Sequence, residues 1–211
     1  MARRSDHTRE ELQEMALTAA ETLLDEQGGA ALSTRKVASA IGYSVGSLYL
    51  VFKNLDDLCW QINARTLEGL MHTLEQQSAD QPPRDRLKAY ANAYLDYARE
   101  WSHRWALLFD HSTDEGDAPE WLQDKIATLF GRVEVDLAEL YPDETPEDIT
   151  LAARTLWGGV HGITQLKMRD KLFFGGDSAA QLMTDSLIDR YLDGWAYTKG
   201  QTKGNAKGDA A

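Results

Sequence analysis

Apolar residues recur at three- and four-residue intervals along most of the chain, and strict alternation with β-branched enrichment is almost absent. The pattern predicts an all-α protein of about nine helices. Thr8 with Glu11 forms a capping box ahead of Leu12, Met15, Ala16, Ala19 and Leu23, and Gly28-Gly29 stops this first helix after about five turns. Leu32 to Gly42 holds a Ser or Thr cap, the apolar set Val37, Ala38 and Ile41, and a terminating glycine, which is a very short helix. Ser44 can cap a second short helix carrying Leu48, Tyr49 and Phe52. Asn54 with Asp57 caps a longer one through Leu58, Ile62, Leu67, Leu70, Met71 and Leu74.

After Pro82-Pro83 aromatic residues become frequent. Helices are predicted over 84–101, with Tyr90, Tyr94, Tyr97 and Trp101, and over 102–110, followed by the acidic loop Asp114-Glu115-Gly116-Asp117. The pattern resumes over 119–140. Thr145-Pro146-Glu147-Asp148 then opens a helix to about residue 171, with a hydroxyl cap, Pro in the first turn and acids at the positive dipole end. Gly175-Gly176 ends that region, and 178–197 form a last helix. The two short helices joined at Gly42-Tyr43-Ser44, packed by the first long helix, form a helix-turn-helix module, whose second short helix enters a DNA major groove. The expected organisation is a head over 1–55, a larger helical domain over 56–197 with the boundary inside the long helix, and a disordered Gly/Lys-rich tail over 198–211.

Charge at first opposes this reading. The 211 residues carry 22 Lys plus Arg against 34 Asp plus Glu, a net charge of −12, which taken whole argues against nucleic acid. Resolved along the chain, Ala30 to Leu55 contains Arg35, Lys36 and Lys53 and no acid. DNA requires a local basic surface with groove-sized side chains, and this segment supplies both. The single cysteine, Cys59, cannot close an intrachain disulfide, and neither a signal peptide nor a membrane span is recognisable, so a soluble cytoplasmic protein is expected.

The run Leu32-Ser33-Thr34-Arg35-Lys36-Val37-Ala38, then Ile41-Gly42-Tyr43-Ser44-Val45-Gly46-Ser47-Leu48-Tyr49-Leu50-Val51-Phe52-Lys53-Asn54, resembles the DNA-binding domain of the TetR family of bacterial repressors. Leu156-Trp157-Gly158-Gly159-Val160-His161-Gly162 resembles a helix of the WHG-type C-terminal regulatory domain of one branch of that family. The resemblance implies a DNA-contacting set of Ser33, Thr34, Arg35, Ser44, Val45, Gly46, Ser47, Tyr49 and Lys53. Thr34 at a helix N-terminus suits a phosphate, and Arg35 can pair with guanine O6 and N7. Val45 can touch a thymine methyl, and Gly46 with Ser47 permits close approach to the base edges. Tyr49 and Lys53 look like phosphate contacts. Val51 and Leu55 depart from the common family pattern, which costs a contact or two and leaves the fold intact.

The resemblance further implies a palindromic operator bound by a homodimer and a small-molecule inducer in the C-terminal domain. Candidate walls of an inducer cavity are Trp101, Trp105, Phe109, Trp121, Phe130 and Trp157, with His161 as an orienting polar group. Gly158, Gly159 and Gly162 inside a helix suggest close approach by a neighbouring helix or a ligand. An enzyme is the first rival reading, with His103, His111, Asp110 and Asp114 as its raw material. The chain lacks H-E-x-x-H, G-x-S-x-G and a phosphate-binding glycine loop, and its acids over 110–124 lack calcium-loop spacing. No catalytic residue, metal or cofactor is therefore expected. A helical adaptor, the second rival, leaves the basic 33–53 segment without a purpose.

Overall fold

The computed structural model describes residues 7–77, 80–111 and 118–208, with side chains through Ala196. Helix α1, Arg9–Gln27, begins where the Thr8 hydroxyl accepts from the Glu11 N–H at 3.1 Å and the Glu11 carboxylate accepts from the Thr8 N–H at 2.7 Å. It buries Leu12, Ala16, Leu17, Ala20 and Leu24, one stripe at helical spacing, and stops at Gly28 with φ +77°. A 3-10 turn at Gly29–Ala31 leads to α2, Thr34–Ala40, and α3, Val45–Leu48. There follow α4 (Leu55–Glu75), α5 (Pro83–Glu100), α6 (Ser102–Asp110), α7 (Glu120–Leu140), α8 (Pro146–Met168) and α9 (Ala179–Gly208). Nine α-helices and no strand among the described residues meet the all-α expectation, and none of these helices is long and apolar enough to cross a membrane.

The chain divides into two compact units, Met1–His72 with Tyr97–Thr128, and Thr73–Asp96 with Leu129–Ala211. The division in α4 thus falls well beyond residue 55, because Leu58, Cys59 and Ile62 belong to the same apolar cluster as Leu12, Leu24, Val37, Leu48 and Phe52. In the first unit α1 packs on α2, α3 and α6. Three of the six acidic residues of α1 are held by other helices: Glu14 and Glu21 pair with Arg65 of α4, and Asp25 takes a forked contact from Arg104 of α6 at 2.6–3.1 Å. His103 Nδ1 donates to the Asp25 carbonyl at 2.9 Å, and Trp105, wholly buried, fills the space beneath. Burial, reinforced by Asp56, pushes the Cys59 thiol up to about 12, so it behaves as a small core hydrophobe.

In the second unit α8 and α9 lie side by side, with Gly159 of α8 against Leu187 of α9, where a Cβ would collide. Arg86 of α5 grips buried Asp136 of α7 at 2.6–2.8 Å, while Arg84 and Lys88 reach Asp189 and Asp193 of α9 at 2.6–3.3 Å.

Three boundaries differ from the sequence reading. Helix α3 ends at Leu48, and Tyr49 to Val51 continue as a turn, so Tyr49 and Phe52 lie beyond the helix expected to carry them. Helix α8 ends at Met168 rather than near 171, because Asp170 turns left-handed at φ 53° and Lys171 N–H bonds back to Leu166 O at 2.8 Å. Helix α9 continues in backbone to Gly208, eleven residues past the expected end at 197 and through most of the tail expected to be disordered. Apolar spacing stops at Trp195, so pattern alone could not extend it. The acidic loop at 114–117 lies outside the described residues.

The turn between α2 and α3 depends on Gly42 at φ +73°, with Gly42 N–H bonded to Ser39 O at 3.2 Å and Tyr43 N–H to Ala38 O at 2.9 Å. No atom lies within 4 Å of a Cβ built there. Gly42→Ala therefore tests backbone strain alone and should cost about 1–2 kcal/mol in denaturant unfolding; an unchanged midpoint would refute this account of the turn.

Candidate functional site

The basic segment is organised by its caps. Ser33 accepts from the Lys36 N–H at 3.3 Å and starts α2; Ser44 accepts from the Ser47 N–H at 3.2 Å and starts α3. Leu48, Val51 and Phe52 are buried at 1, 7 and 4% exposure and anchor α3 and the turn after it to the head core. What remains outward is Arg35, Lys36, Ser39, Ala40, Gly42, Ser44, Gly46, Tyr49, Leu50 and Lys53, all exposed. No acidic side chain lies in this stretch of sequence. Lys53 N–H donates to Asp57 at 2.9 Å, and Asp57 N–H donates to the Asn54 side chain at 2.8 Å, which fixes the backbone of Lys53 where α4 begins.

The expected DNA-contacting residues thus lie together on α2, α3 and the turn after it. Ser33, Thr34, Val45 and Ser47 are half-buried, the first and last engaged in or receiving caps. Val45 packs partly on the head core, leaving it less surface for a base methyl than its sequence position suggests. Leu50, 66% exposed beside Tyr49 at 54%, is an apolar group on the same surface that sequence reasoning passed over. Its exposure beside buried neighbours was the only signal, and that signal is tertiary. Tyr43 is bound in the turn, its hydroxyl 2.6 Å from His7 Nδ1.

The second unit holds a partly open cavity of about 70 Å³, lined by Leu74 of α4, Leu87, Tyr90, Ala91 and Tyr94 of α5, Leu129, Phe130 and Val133 of α7, Ala153, Leu156, Trp157 and Val160 of α8, and Ile188 of α9. That is ample for more than one water, which needs roughly 10–15 Å³. Phe130 and Trp157 meet edge to face, at 5.5 Å and 81°. Trp157 Nε1–H donates to the Tyr94 hydroxyl at 3.1 Å, and that hydroxyl is hydrogen-bonded to His161 Nδ1 at 2.9 Å. His161 stacks on Trp157 at 25°. Burial raises the Tyr94 pKa, so the hydroxyl keeps its proton.

Of the seven expected wall residues, the cavity takes Phe130 and Trp157, with His161 directly behind Trp157. The other four belong to the first unit. Trp105 is fully buried core; Trp101 lies under the Arg104 guanidinium at 4.7 Å; Phe109 tilts against Trp105 at 4.9 Å; and Trp121 is 42% exposed. Tyr90 and Tyr94 line the cavity in their stead. Their i, i+4 spacing with Leu87 and Ala91 on one face of α5 was the available signal.

Burial, with Arg169 adding to it, holds His161 below its usual 6.5, so the folded chain binds fewer protons there than the unfolded chain. Stability is full above about pH 6.5 and falls as the pH drops from there to the lowered pKa. In urea unfolding followed from about pH 7 to 5, His161→Gln should flatten this decline, and a profile identical to that of the parent chain would remove His161 as its source.

Comparison with known proteins places both halves. Residues 16–59 match the family model described as bacterial regulatory proteins, tetR family, and residues 87–191 match that of a tetracyclin repressor-like C-terminal domain. An uncharacterized HTH-type transcriptional regulator of Mycobacterium tuberculosis is 28% identical over 169 residues, 80% of this chain and 73% of that protein. A solved structure of a protein of unknown function from Rhodococcus sp. RHA1 superposes with a TM-score of 0.71 at 21% identity, over 91% of this chain and 98% of that one. The structure of RolR in complex with resorcinol superposes with a TM-score of 0.63 at 18% identity, over 86% and 87% of the two chains.

Proposed function

The chain belongs to the tetR family of bacterial regulatory proteins and is a DNA-binding transcription regulator, and from that premise we propose that it is a repressor which binds a palindromic operator as a homodimer and leaves it when a small molecule occupies the second unit. The observation that carries the DNA-binding half is the exposed set of Arg35 on α2 and Tyr49 and Lys53 after the capped, core-anchored α3, in a stretch of sequence that holds no acid. Arg35 reads a guanine, and Tyr49 and Lys53 hold phosphates on either side of the groove. Leu50 adds an apolar contact to a thymine methyl. Two heads on one dimer read half-sites spaced by about 34–36 Å or somewhat more.

Dimerisation is assigned to α8 and α9. On α8, Leu151, Thr155, Gly158 and Leu166 share an exposed stripe, and a Cβ at Gly158 or Gly162 would meet nothing within 4 Å. Of the three glycines in this helix, Gly159 is thus explained within the chain and the other two are left for a second copy. Leu182 of α9, 60% exposed, extends the same apolar character. The cavity supports ligand control, as does the resorcinol held by the similar RolR. A ligand that binds one dimer arrangement better than the other shifts the heads away from successive half-sites.

In titrations of labelled operator duplex, Arg35→Ala should lose about 1–3 kcal/mol of discrimination at one base pair, whereas Lys53→Ala should weaken all sequences alike and reduce the salt slope by about one. Operator preference untouched by Arg35→Ala would take base reading away from it. Sedimentation should give a dimer at micromolar concentration, shifted toward monomer by Gly162→Trp; a monomeric parent chain would end the dimer reading.

A further inference from the structure

The cavity in the second unit has no charged side chain anywhere in its lining, and the polar side-chain groups that its lining residues carry are few: the hydroxyls of Tyr90 and Tyr94 and the indole nitrogen of Trp157. Two of these three are already bonded to each other along the wall, with His161 completing the chain behind it. We infer that the ligand is a small, uncharged, ring-bearing hydrophobe, and that the cavity excludes carboxylates and ammonium ions of the same size. This rests on the reading of the second unit as the ligand-responsive part of the regulator.

The exclusion of anions follows from where the cations are. Arg154 lies with its guanidinium 3.5 Å from the centroid of Phe130 and donates to Glu134 at 2.9 Å. Arg86 is committed to Asp136 and Glu139, and Arg132 to Glu75. A carboxylate entering the apolar space would surrender its hydration with no cation in the lining to replace it, and would take up a proton or stay outside. The neutral His161 adds no positive charge to compensate.

Exclusion of cations follows from how the aromatic faces are used. A cage of Tyr90, Tyr94, Phe130 and Trp157 could hold an ammonium ion if the rings offered it open π-faces. Phe130 instead has the Arg154 guanidinium over one face and meets Trp157 edge to face, and Trp157 is stacked on His161. A second cation against Phe130 would face the charge of Arg154 through the thickness of one ring. Glu134, 2.9 Å from Arg154, offsets only part of that charge, and no carboxylate lies in the lining itself to pair with an entering cation. A neutral ring meets none of these penalties and gains by leaving water, since aromatic walls favour offset or edge contacts with it.

The test uses the full chain and three probes of one shape: 4-ethylphenol, 4-ethylbenzoate and 4-ethylbenzylammonium, which at neutral pH are uncharged, anionic and cationic. The uncharged probe should raise the Tm by about 3–6 °C at tenfold excess over its Kd and quench or shift Trp fluorescence. Both ions should bind at least about tenfold more weakly. Ala153→Trp, which fills the cavity, should abolish the shift; if that variant does not fold, Ala91→Leu, a smaller intrusion, should weaken it. Equal or stronger binding of either ion, binding of none of the three at about 1 mM, or a shift unaffected by the filled cavity would overturn the inference. An operator titration with the same probes separates the two readings. If 4-ethylphenol fills the cavity and leaves DNA affinity unchanged, ligand control fails and the inference stands; if only an ionic probe releases the DNA, ligand control stands and the inference falls.

Discussion

The burial of Leu48, Val51 and Phe52 in the head core is the constraint on which the exposed basic surface of the head depends. A helix of four residues cannot hold itself, because nucleation fixes several dihedrals for a single hydrogen bond. Helix α3 exists because its own Leu48 and the turn that follows are drawn into the cluster built by α1, α2 and α4. The exposed residues of this segment take their direction from that burial. Tyr49, Leu50 and Lys53 are exposed as the remainder of a segment whose other members, Leu48, Val51 and Phe52, are inside.

The same core settles what becomes of the acids on α1. Left free, Glu14, Glu21 and Asp25 would put negative charge on the head that has to meet phosphate. Arg65 and Arg104 take them up from α4 and α6, so the pairs are partly screened and carry little net field. Individually such contacts contribute little stability. Their consequence lies in the potential around the head, where the uncompensated charges of the 30–55 segment are basic. In the second unit Asp136, Asp189, Asp193 and Glu134 are paired in the same way between helices, while the cavity interior is apolar. An acid-rich exterior and an uncharged interior coexist because burying an unpaired ion is prohibitive, whereas a surface ion costs almost nothing.

How much was legible follows the range of each interaction. The caps at Thr8, Ser33, Ser44 and Thr145 each join residues three apart; three stand where the sequence places them, and Ser33 is the one of the two hydroxyls left open at the start of α2. Gly42 is equally local, since its left-handed φ is a property of one residue. The length of α3 was misjudged because a buried turn and a buried helix present similar apolar spacing over so few residues. Among the aromatics, abundance was a poor guide: Trp101, Trp105, Phe109 and Trp121 serve the first unit, and the tyrosines of α5 stand beside Phe130 and Trp157 in the cavity. Nothing in a single aromatic side chain states which of two apolar interiors it will enter, since each interior gains similarly by removing it from water.

By itself, the sequence determined the helical class, the positions where the helices start, the helix-turn-helix module and the basic segment within an acidic chain. These rest on short-range chemistry: hydroxyl caps, a glycine that alone tolerates φ +73°, and charge counted along the backbone. The tertiary structure alone decided which residues wall the cavity, that Gly159 meets Leu187 while Gly158 and Gly162 face open space, and that Leu50 is presented beside Tyr49. Those outcomes require helices far apart in sequence to be brought together. Apolar burial is non-directional, so periodicity names the buried face of a helix without naming what it will be buried against.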